Sequence, residues 1–334
     1  MRIIHVINSL EIGGAEMMLL KLLKSKVFLR DQILVVVLTK HSKLTERIQK
    51  LGFEVKHLNF CKSPLVIFEI LKLYKIIKIF APNIVHSWLY QADLISGIIS
   101  YWLKIDGVVW SVRQSSLEFK HNKITTLLCA KLCALLSSRI ATKITVNSKE
   151  AIKNHIKIGY DKNKICLVHN GFELNTFKKF KVKEKNKVIG LNIEINYPIV
   201  GFIGRYDIQK NHKGFLQAAK LVVENNQNVK FFLVGRNVTE KNNELSNLKN
   251  KFALNENVFF LGEREDIPVL MNIFDIFVLP SDGESFPNVI GEAMACELPC
   301  VVTNVGETMD IIGKTGKVVS KGDMASLAKE IISL

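Results

Sequence analysis

No two cysteines of this 334-residue chain stand in a CxxC, and none has an adjacent histidine that would complete a tetrahedral zinc shell. Cys61, Cys129, Cys133, Cys166, Cys296 and Cys300 therefore read as reduced packing residues. No aspartate is followed two residues later by another. That removes the DxD arrangement by which carboxylates hold a divalent metal against a diphosphate. No apolar run reaches the roughly 18 to 20 residues of a membrane span. The amino terminus, "MRIIHVINSLEIGG", has neither a long apolar core nor a small-residue cleavage site, so it reads as a first strand and the chain as cytosolic. There is no aromatic-interleaved basic stripe and no helix-turn-helix pattern, which leaves nucleic acid unsupported as a partner.

What the chain does have is core-forming sequence and positive charge. Hydrophobic residues make up 48%, and the length predicts two domains. The net charge of +15, spread through both halves, suits an anionic partner such as a phosphate-bearing substrate or an acidic membrane face. In "SPLVIFEILKLYKIIKIFAP" (63–82), charges recur every third residue from Glu69 to Lys78, which predicts an amphipathic helix. Two readings stay open for it: a cover for a sheet, or a basic face resting on anionic lipid. "ITTLLCAKLCALLSS" (124–138) reads as a buried helix.

Short Val/Ile/Leu/Phe runs alternate with helical patterns from end to end. "RIIHVIN", "QILVVVLT", "NIVHSW", "GVVWSVR", "KITVNS" and "KICLVHN" are the expected strands of the first half. "PIVGFIGR", "VKFFLVG", "VFFLG", "IFVLPS" and "PCVVTN" are those of the second. Continuous apolar strands separated by helices predict βαβ units and parallel sheets, hence an α/β chain of two Rossmann-like, doubly wound domains. The lysine-rich stretch 170–198 reads as the linker, with a boundary near 180 that separates domain 1–180 from domain 181–334. Ligands of such sheets bind at strand carboxyl ends, so two facing domains predict a site in the cleft between them.

Four constellations stand at such ends. In "NSLEIGGAE" (8–16), Gly13 and Gly14 permit close backbone approach before a helix, although the spacing is not GxGxxG; a purely structural turn is the competing reading. "NIVHSW" puts His86, and with it Trp88, at a sheet's carboxyl edge, where a hydrogen-bonded structural histidine is the competing reading. In "GFIGRYDIQKNHKG" (201–214), Arg205 and Lys210 follow a strand and can bring a guanidinium and an ammonium to one diphosphate; two solvated loop cations are the alternative. In "SDGESFPNVIGEAMACELPC" (281–300), Asp282-Gly283 makes a turn and Pro287 suits a first helical position. Glu284 lies in the turn and Glu292 on the helix, too far apart to share a proton but placed to accept from different sugar rings.

"GESFPNVIGEAMACELPCVVTNVGE" (283–307) resembles the E-x7-E signature of the family 4 retaining glycosyltransferases. "GGAE", "IVHSWLYQAD", "VNSKEA", "VHNGFELNTF", "GRYDIQKN", "FLVG" and "LGEREDIP" resemble further family blocks in the same order, across nearly the whole chain. The resemblance implies the two-domain GT-B fold and a nucleotide-sugar donor, with an N-terminal acceptor domain and a C-terminal donor domain. It implies that Arg205 and Lys210 clamp the diphosphate with no metal or other cofactor, that Glu292 accepts from the ribose, and that Glu284 contacts the transferred hexose. The N–H groups around Ser285, Phe286 and Gly14 are implied to reach phosphates and sugar, and His86 to lie near the donor sugar's reacting face, brought there by domain closure. It further implies transfer with retention, by front-face attack on an oxocarbenium-like centre. Family members usually continue past "GDMASLAKEIISL" with helical sequence that crosses back onto the first domain, which this sequence does not contain. The expected activity is transfer of a UDP-linked hexose or N-acetylhexosamine to a lipid-linked or growing saccharide of a cell-surface polysaccharide, with peripheral contact to an anionic membrane face. A UDP-sugar 2-epimerase of the same fold and a non-catalytic scaffold are the alternatives; retention of Arg205, Lys210 and Glu292 speaks against the scaffold.

Overall fold

The computed structural model describes residues 1–25, 31–40, 42–60, 66–115, 117, 123–182 and 197–334. Cys61, residues 63–65 of the expected amphipathic helix and 183–196 of the expected linker lie outside the described residues. The chain divides into two compact units, Met1–Gly171 and Phe172–Leu334. Residues 172–180, read from sequence as the start of the linker, belong to the second unit. Phe177 is buried in its core, and the Phe180 N–H donates to Asn272 Oδ1 at 2.8 Å.

Among the described residues the first unit is built on seven strands: β1 (Arg2–Ile7), β2 (Gln32–Val37), β3 (Glu54–His57), β4 (Ile84–Trp88), β5 (Gly107–Val112), β6 (Lys143–Val146) and β7 (Ile165–Leu167). They pair in the order β3-β2-β1-β4-β5-β6-β7, every pair parallel. β1 and β2 are buried along all but their first residue, because helices cover both sheet faces; this is why they read as unbroken apolar runs. Ile3, Ile7, Val35, Val37 and Trp88 pack under the helices α1 (Gly14–Lys24) and α2 (Thr45–Gln49). The alternate residues, among them Ile4, Val6 and Val85, pack under α3 (Val66–Phe80) and α4 (Tyr90–Trp102). Val108, Trp110 and Ile144 continue that second face under α5 (Ile124–Ile140).

α3 buries Leu73 and Ile77 on the sheet and turns Lys72, Lys75 and Lys78 outward, as its charge spacing predicts. Glu69 is the exception to that spacing: it is buried, accepting the Asn59 N–H at 3.1 Å and the Lys72 ammonium at 2.7 Å. The expectation of a buried helix at 124–138 is corrected. α5 buries Leu127, Ala130, Cys133, Ala134 and Ser137, but Ile124, Leu128, Lys131 and Leu135 are exposed. The helix is apolar on both sides while the sheet lies on only one.

The second unit repeats the plan with β8 (Ile199–Ile203), β9 (Lys230–Val234), β10 (Val258–Phe260), β11 (Ile276–Leu279), β12 (Cys300–Thr303) and β13 (Lys317–Val319). The order β10-β9-β8-β11-β12-β13 is again parallel throughout. Its core centres on Phe202, Phe215, Phe231, Phe232 and Phe277. Gly201 in central β8 makes room for the Phe274 ring, which stands 2.0 Å from where a Cβ would be. In both sheets the order reverses once, between β1 and β4 and between β8 and β11. Those two reversals mark the ligand-binding crevices of doubly wound sheets.

Buried histidines couple this packing to pH. Burial pulls His5, His155 and His212 down from 6.5 to about 4. His86 falls well below 6.5, through burial first and then through His5 and Arg113. Between pH 6.5 and about 4 the unfolded chain binds protons that the native rings refuse, so stability present above pH 6.5 is lost as the pH falls through that window. Each ring contributes at most roughly 3 kcal/mol to the loss. Asp93, whose carboxyl burial pushes up, acts in the opposite sense, one group against four. The melting temperature is therefore expected to fall steeply from pH 6.5 to 4.5 in calorimetry. A flat profile over that range would show that the rings are not buried as described.

Candidate active site

In the second unit, the loops after β8 and β11 flank the point where strand order reverses, and they carry most of the residues picked from sequence. Gly204 and Arg205 leave β8. Asp207 then caps a single 3-10 turn, Ile208–Lys210, by accepting the Gln209 N–H at 3.0 Å. Asn211, in the left-handed region at φ 50°, caps the next helix, α7 (His212–Asn225), by accepting the Gly214 N–H at 2.9 Å. Those two caps fix the direction in which Lys210 leaves the backbone. Its ammonium donates to Glu284 Oε1 in the other loop, and the Ser281 hydroxyl donates to the same oxygen at 2.7 Å. The Lys210 and Glu284 side chains are only 18% and 11% exposed. A second tie joins the loops where the Asp282 N–H donates to the Gln209 carbonyl at 2.7 Å.

Arg205 is treated differently. Its guanidinium is half-exposed and donates through Nε and Nη2 to Asp207 Oδ2 at 3.2 and 3.0 Å. Burial opposes ionisation of Asp207, but the Gln209 N–H and the Arg205 cation together hold its carboxyl below the usual range. Sequence spacing expected Arg205 and Lys210 to address one anion. The structure sets both in one loop, each on a carboxylate of its own.

Two glycines hold this geometry through close backbone approach. At Gly235, after β9, a Cβ would stand 2.2 Å from the Gly204 carbonyl oxygen. At Gly306, φ 55°, it would stand 2.4 Å from the Glu284 carbonyl oxygen and 2.7 Å from that of Ser285. The Ser285 carbonyl also accepts the Glu307 N–H at 3.1 Å, so the turn carrying Glu284, Ser285 and Phe286 is braced from behind. Phe286 stacks toward Phe172, ring centroids 6.2 Å apart. Pro287 takes the cap position, one residue before its expected place, and the helix α10 runs Asn288–Ala295. Glu292 lies on α10, about 6 Å along the axis from Asn288 at 1.5 Å per residue. Glu284 and Glu292 are thus on separate elements, a turn and a helix, as their spacing predicts.

In the first unit, Gly14 begins α1 after an extended Gly13, and among the described residues nothing beyond its chain neighbours and its own helix backbone lies within 4 Å of the position a Cβ would take on Gly14. His86 requires a correction of place. It is the third of five residues in β4, and Trp88 holds the carboxyl edge. The His86 ring packs against Trp88 and His5, with centroids 4.8 and 5.1 Å away. Its Nε2 bonds Ser111 Oγ at 2.7 Å, and Ser111 in turn bonds Thr145 at 2.8 Å. The alternation of a strand explains the position: Ile84, His86 and Trp88 share one face, so His86 looks across the sheet.

Arg113, which sequence reasoning did not single out, joins the cluster around Trp88. It follows β5 directly, as Arg205 follows β8 by one residue, and a cation at the end of an apolar strand is the signal that would have found it. Its guanidinium carbon lies 5.0 Å over the Trp88 ring, and Nη1 donates to Asn170 Oδ1 at 3.0 Å. Burial lowers it to about 10, against the opposing pull of Asp93.

Two doubly wound parallel sheets, with a braced cation–carboxylate pair at the crevice of the second, are the plan of a GT-B fold. The model described as Glycosyltransferase Family 4 matches residues 12–176, and that described as Glycosyl transferases group 1 matches residues 197–334. The chain belongs to this glycosyltransferase family. It is 30% identical over 301 residues to the capsular polysaccharide biosynthesis glycosyltransferase CapM of Staphylococcus aureus, covering 84% of this chain and 76% of CapM. It is 31% identical over 243 residues to the UDP-Gal:alpha-D-GlcNAc-diphosphoundecaprenol alpha-1,3-galactosyltransferase of Escherichia coli, covering 71% of this chain and 62% of that enzyme. Among solved structures, Anabaena HepE in complex with UDP-glucose superposes with a TM-score of 0.85 at 23% identity, covering 99% of this chain and 88% of HepE. That likeness carries the fold.

Proposed function

We propose that the protein is a retaining, metal-independent glycosyltransferase that moves a hexose or N-acetylhexosamine from a UDP-sugar to a lipid-linked or growing saccharide in cell-surface polysaccharide assembly. The observation that carries this reading is the Lys210–Glu284 contact, which joins the two loops at the second unit's crevice and sets a cation beside a hydroxyl-accepting carboxylate. The names of two relatives support this substrate class. The Escherichia coli enzyme is named for a UDP-galactose donor and a diphosphoundecaprenol acceptor. A Campylobacter jejuni relative, 27% identical over 300 residues, is named for transfer to a diphospho-undecaprenol-linked sugar.

In this reading the donor diphosphate binds the Arg205 and Lys210 cations where their carboxylates hold them, and Glu284 accepts from hydroxyls of the transferred sugar. Glu292 accepts from the ribose, while N–H groups of Ser285 and Phe286 meet phosphate oxygens. As the glycosidic bond to the diphosphate lengthens, charge builds on the leaving oxygen, and two preplaced cations stabilise it without reorganisation. The acceptor hydroxyl attacks from the same face and passes its proton to that phosphate oxygen, which conserves the anomeric configuration. A guanidinium and an ammonium do the neutralising that a metal would do elsewhere. The first unit serves the acceptor. The protein works in the cytoplasm, in peripheral contact with the membrane that carries the acceptor.

Incubation with UDP-hexoses, UDP-N-acetylhexosamines and a diphospho-lipid saccharide, with and without chelator, tests this directly. An α-linked product from an α-linked donor, formed equally in chelator, is expected. An inverted anomer or a chelator-abolished rate would overturn the mechanism, and no transfer from any UDP-sugar would overturn the donor. Glu292→Gln is expected to raise the donor KM about tenfold or more with kcat little changed, because it weakens charged hydrogen bonds made alike in ground and transition states. A kcat loss at unchanged KM would remove Glu292 from the ribose.

A further inference from the structure

The outward face of α3, α4 and α5 has a composition that donor chemistry does not explain. On α5, Ile124, Leu128, Leu132 and Leu135 are exposed, Leu135 to 74%. Their spacings of four, four and three place them within about 80° of one another around the axis, a single aliphatic stripe. A water-facing helix in a soluble unit carries polar residues there, and a helix apolar on all sides needs an apolar medium on its second side. α4, which packs between α3 and α5, ends in exposed Tyr101 and Trp102, the latter 68% exposed. On α3, Phe68, Leu71 and Ile79 are exposed among the lysines, Ile79 to 83%.

Charge selects what covers this face. Lys131 and Arg139 border the α5 stripe, and Lys72, Lys75 and Lys78 interleave the apolar residues of α3. The acids of the three helices, Glu69 and Asp93, are buried, which leaves the exposed Asp106 in the turn after α4 against these cations. A cavity of about 330 Å³ beside Ile79 adds Arg2 to Lys75 along one margin, while Lys56 at the same margin is paired with the exposed Glu54 at 3.2 Å. A second copy of the chain, packed symmetrically on this face, would bring like charges together. A bilayer with anionic headgroups meets both demands: acyl chains accept the aliphatic stripe, tryptophan and tyrosine suit the headgroup level, and lysines reach phosphates over their own stems. Among the described residues no helix is long and apolar enough to cross a membrane, so contact is in the plane of the surface.

We infer that this three-helix face is the surface by which the protein docks on an anionic lipid bilayer, with α5 lying along the headgroup boundary. It belongs to the first unit and the donor crevice to the second, so its test does not depend on the proposed activity. The full chain is floated with vesicles of phosphatidylglycerol and phosphatidylcholine in equal parts, and with phosphatidylcholine alone. Wild type is expected to bind the anionic vesicles at least about tenfold more strongly than the neutral ones, with binding weakened by salt. The Leu128→Glu/Leu135→Glu variant is expected to lose about tenfold of that binding, and Lys75→Glu/Lys78→Glu a similar factor, each with an unchanged melting temperature and an unchanged thermal shift with UDP. Failure of wild type to bind either vesicle, or full binding by the leucine variant, would overturn the inference. So would a wild-type dimer in sedimentation that the leucine variant splits, since that would name a second copy as the occupant. A missing UDP shift in wild type would count against the proposed donor and leave the docking surface untouched.

Discussion

Lys210→Ala is expected to lower kcat for sugar transfer by about 10²–10³-fold, the cost of removing one preorganised group from a developing oxyanion. The structure gives two reasons for an effect of that size. The ammonium is held in place before any ligand arrives, by the Asp207 cap on one side and Glu284 on the other, so it reaches the leaving phosphate without reordering solvent. Its site is also poorly hydrated, so water replaces the lost charge incompletely. Removal has a second consequence, because Glu284 then sits in the same half-buried turn without that cation. Glu284→Ala alone is expected to cost less than Lys210→Ala, and the double variant less than the sum, as for two groups acting in one unit. Lys210→Arg keeps the charge and is expected to recover part of the rate. Single-turnover measurements with saturating donor separate chemistry from binding. Wild-type rates in Lys210→Ala would remove this residue from the site altogether.

Gly306→Val is expected to destabilise the second unit by about 3 kcal/mol and to abolish UDP binding measurably before it abolishes folding. The residue has φ 55°, which a β-branched side chain does not adopt without strain. A Cβ there overlaps the carbonyl oxygens of Glu284 and Ser285, so the turn must shift away from the loop that carries Lys210. Urea unfolding and a titration with UDP read the two effects separately. Gly14→Ala is the matched control: open space surrounds its Cβ position, and stability is expected to stay within about 0.5 kcal/mol. Unchanged stability and UDP affinity in Gly306→Val would show that the turn is not braced from behind as described.

Eleven of the thirteen strands among the described residues are legible as apolar runs; β3, Glu54–His57, and β13, Lys317–Val319, are not. β3 alternates exposed Glu54 and Lys56 with half-buried Val55 and His57, and β13 is three residues long with Lys317 exposed. Both are sheet edges, but so are β7 and β10, so edge position alone does not hide a strand; β3 and β13 lack a continuous apolar run of more than two residues. Helix burial was misjudged where composition alone was weighed. α5 is as apolar as a buried helix, and nothing in its own residues says that the sheet lies against one side only.

The site divides along the same line. By itself, the order of residues determined that Arg205 and Lys210 follow one strand end, and that Glu284 sits in a turn ahead of the helix bearing Glu292. Local chain geometry suffices for that, since caps, turns and strand ends depend on residues within a few positions of each other. The pairing of Lys210 with Glu284, 74 positions apart, was decided only by the tertiary structure. So were the placement of His86 on a sheet face instead of an edge, the emergence of Arg113 over Trp88, and the backing of the turn by Gly306. Each depends on which strands become neighbours, and in a parallel sheet those neighbours are joined through crossovers whose order no local pattern encodes.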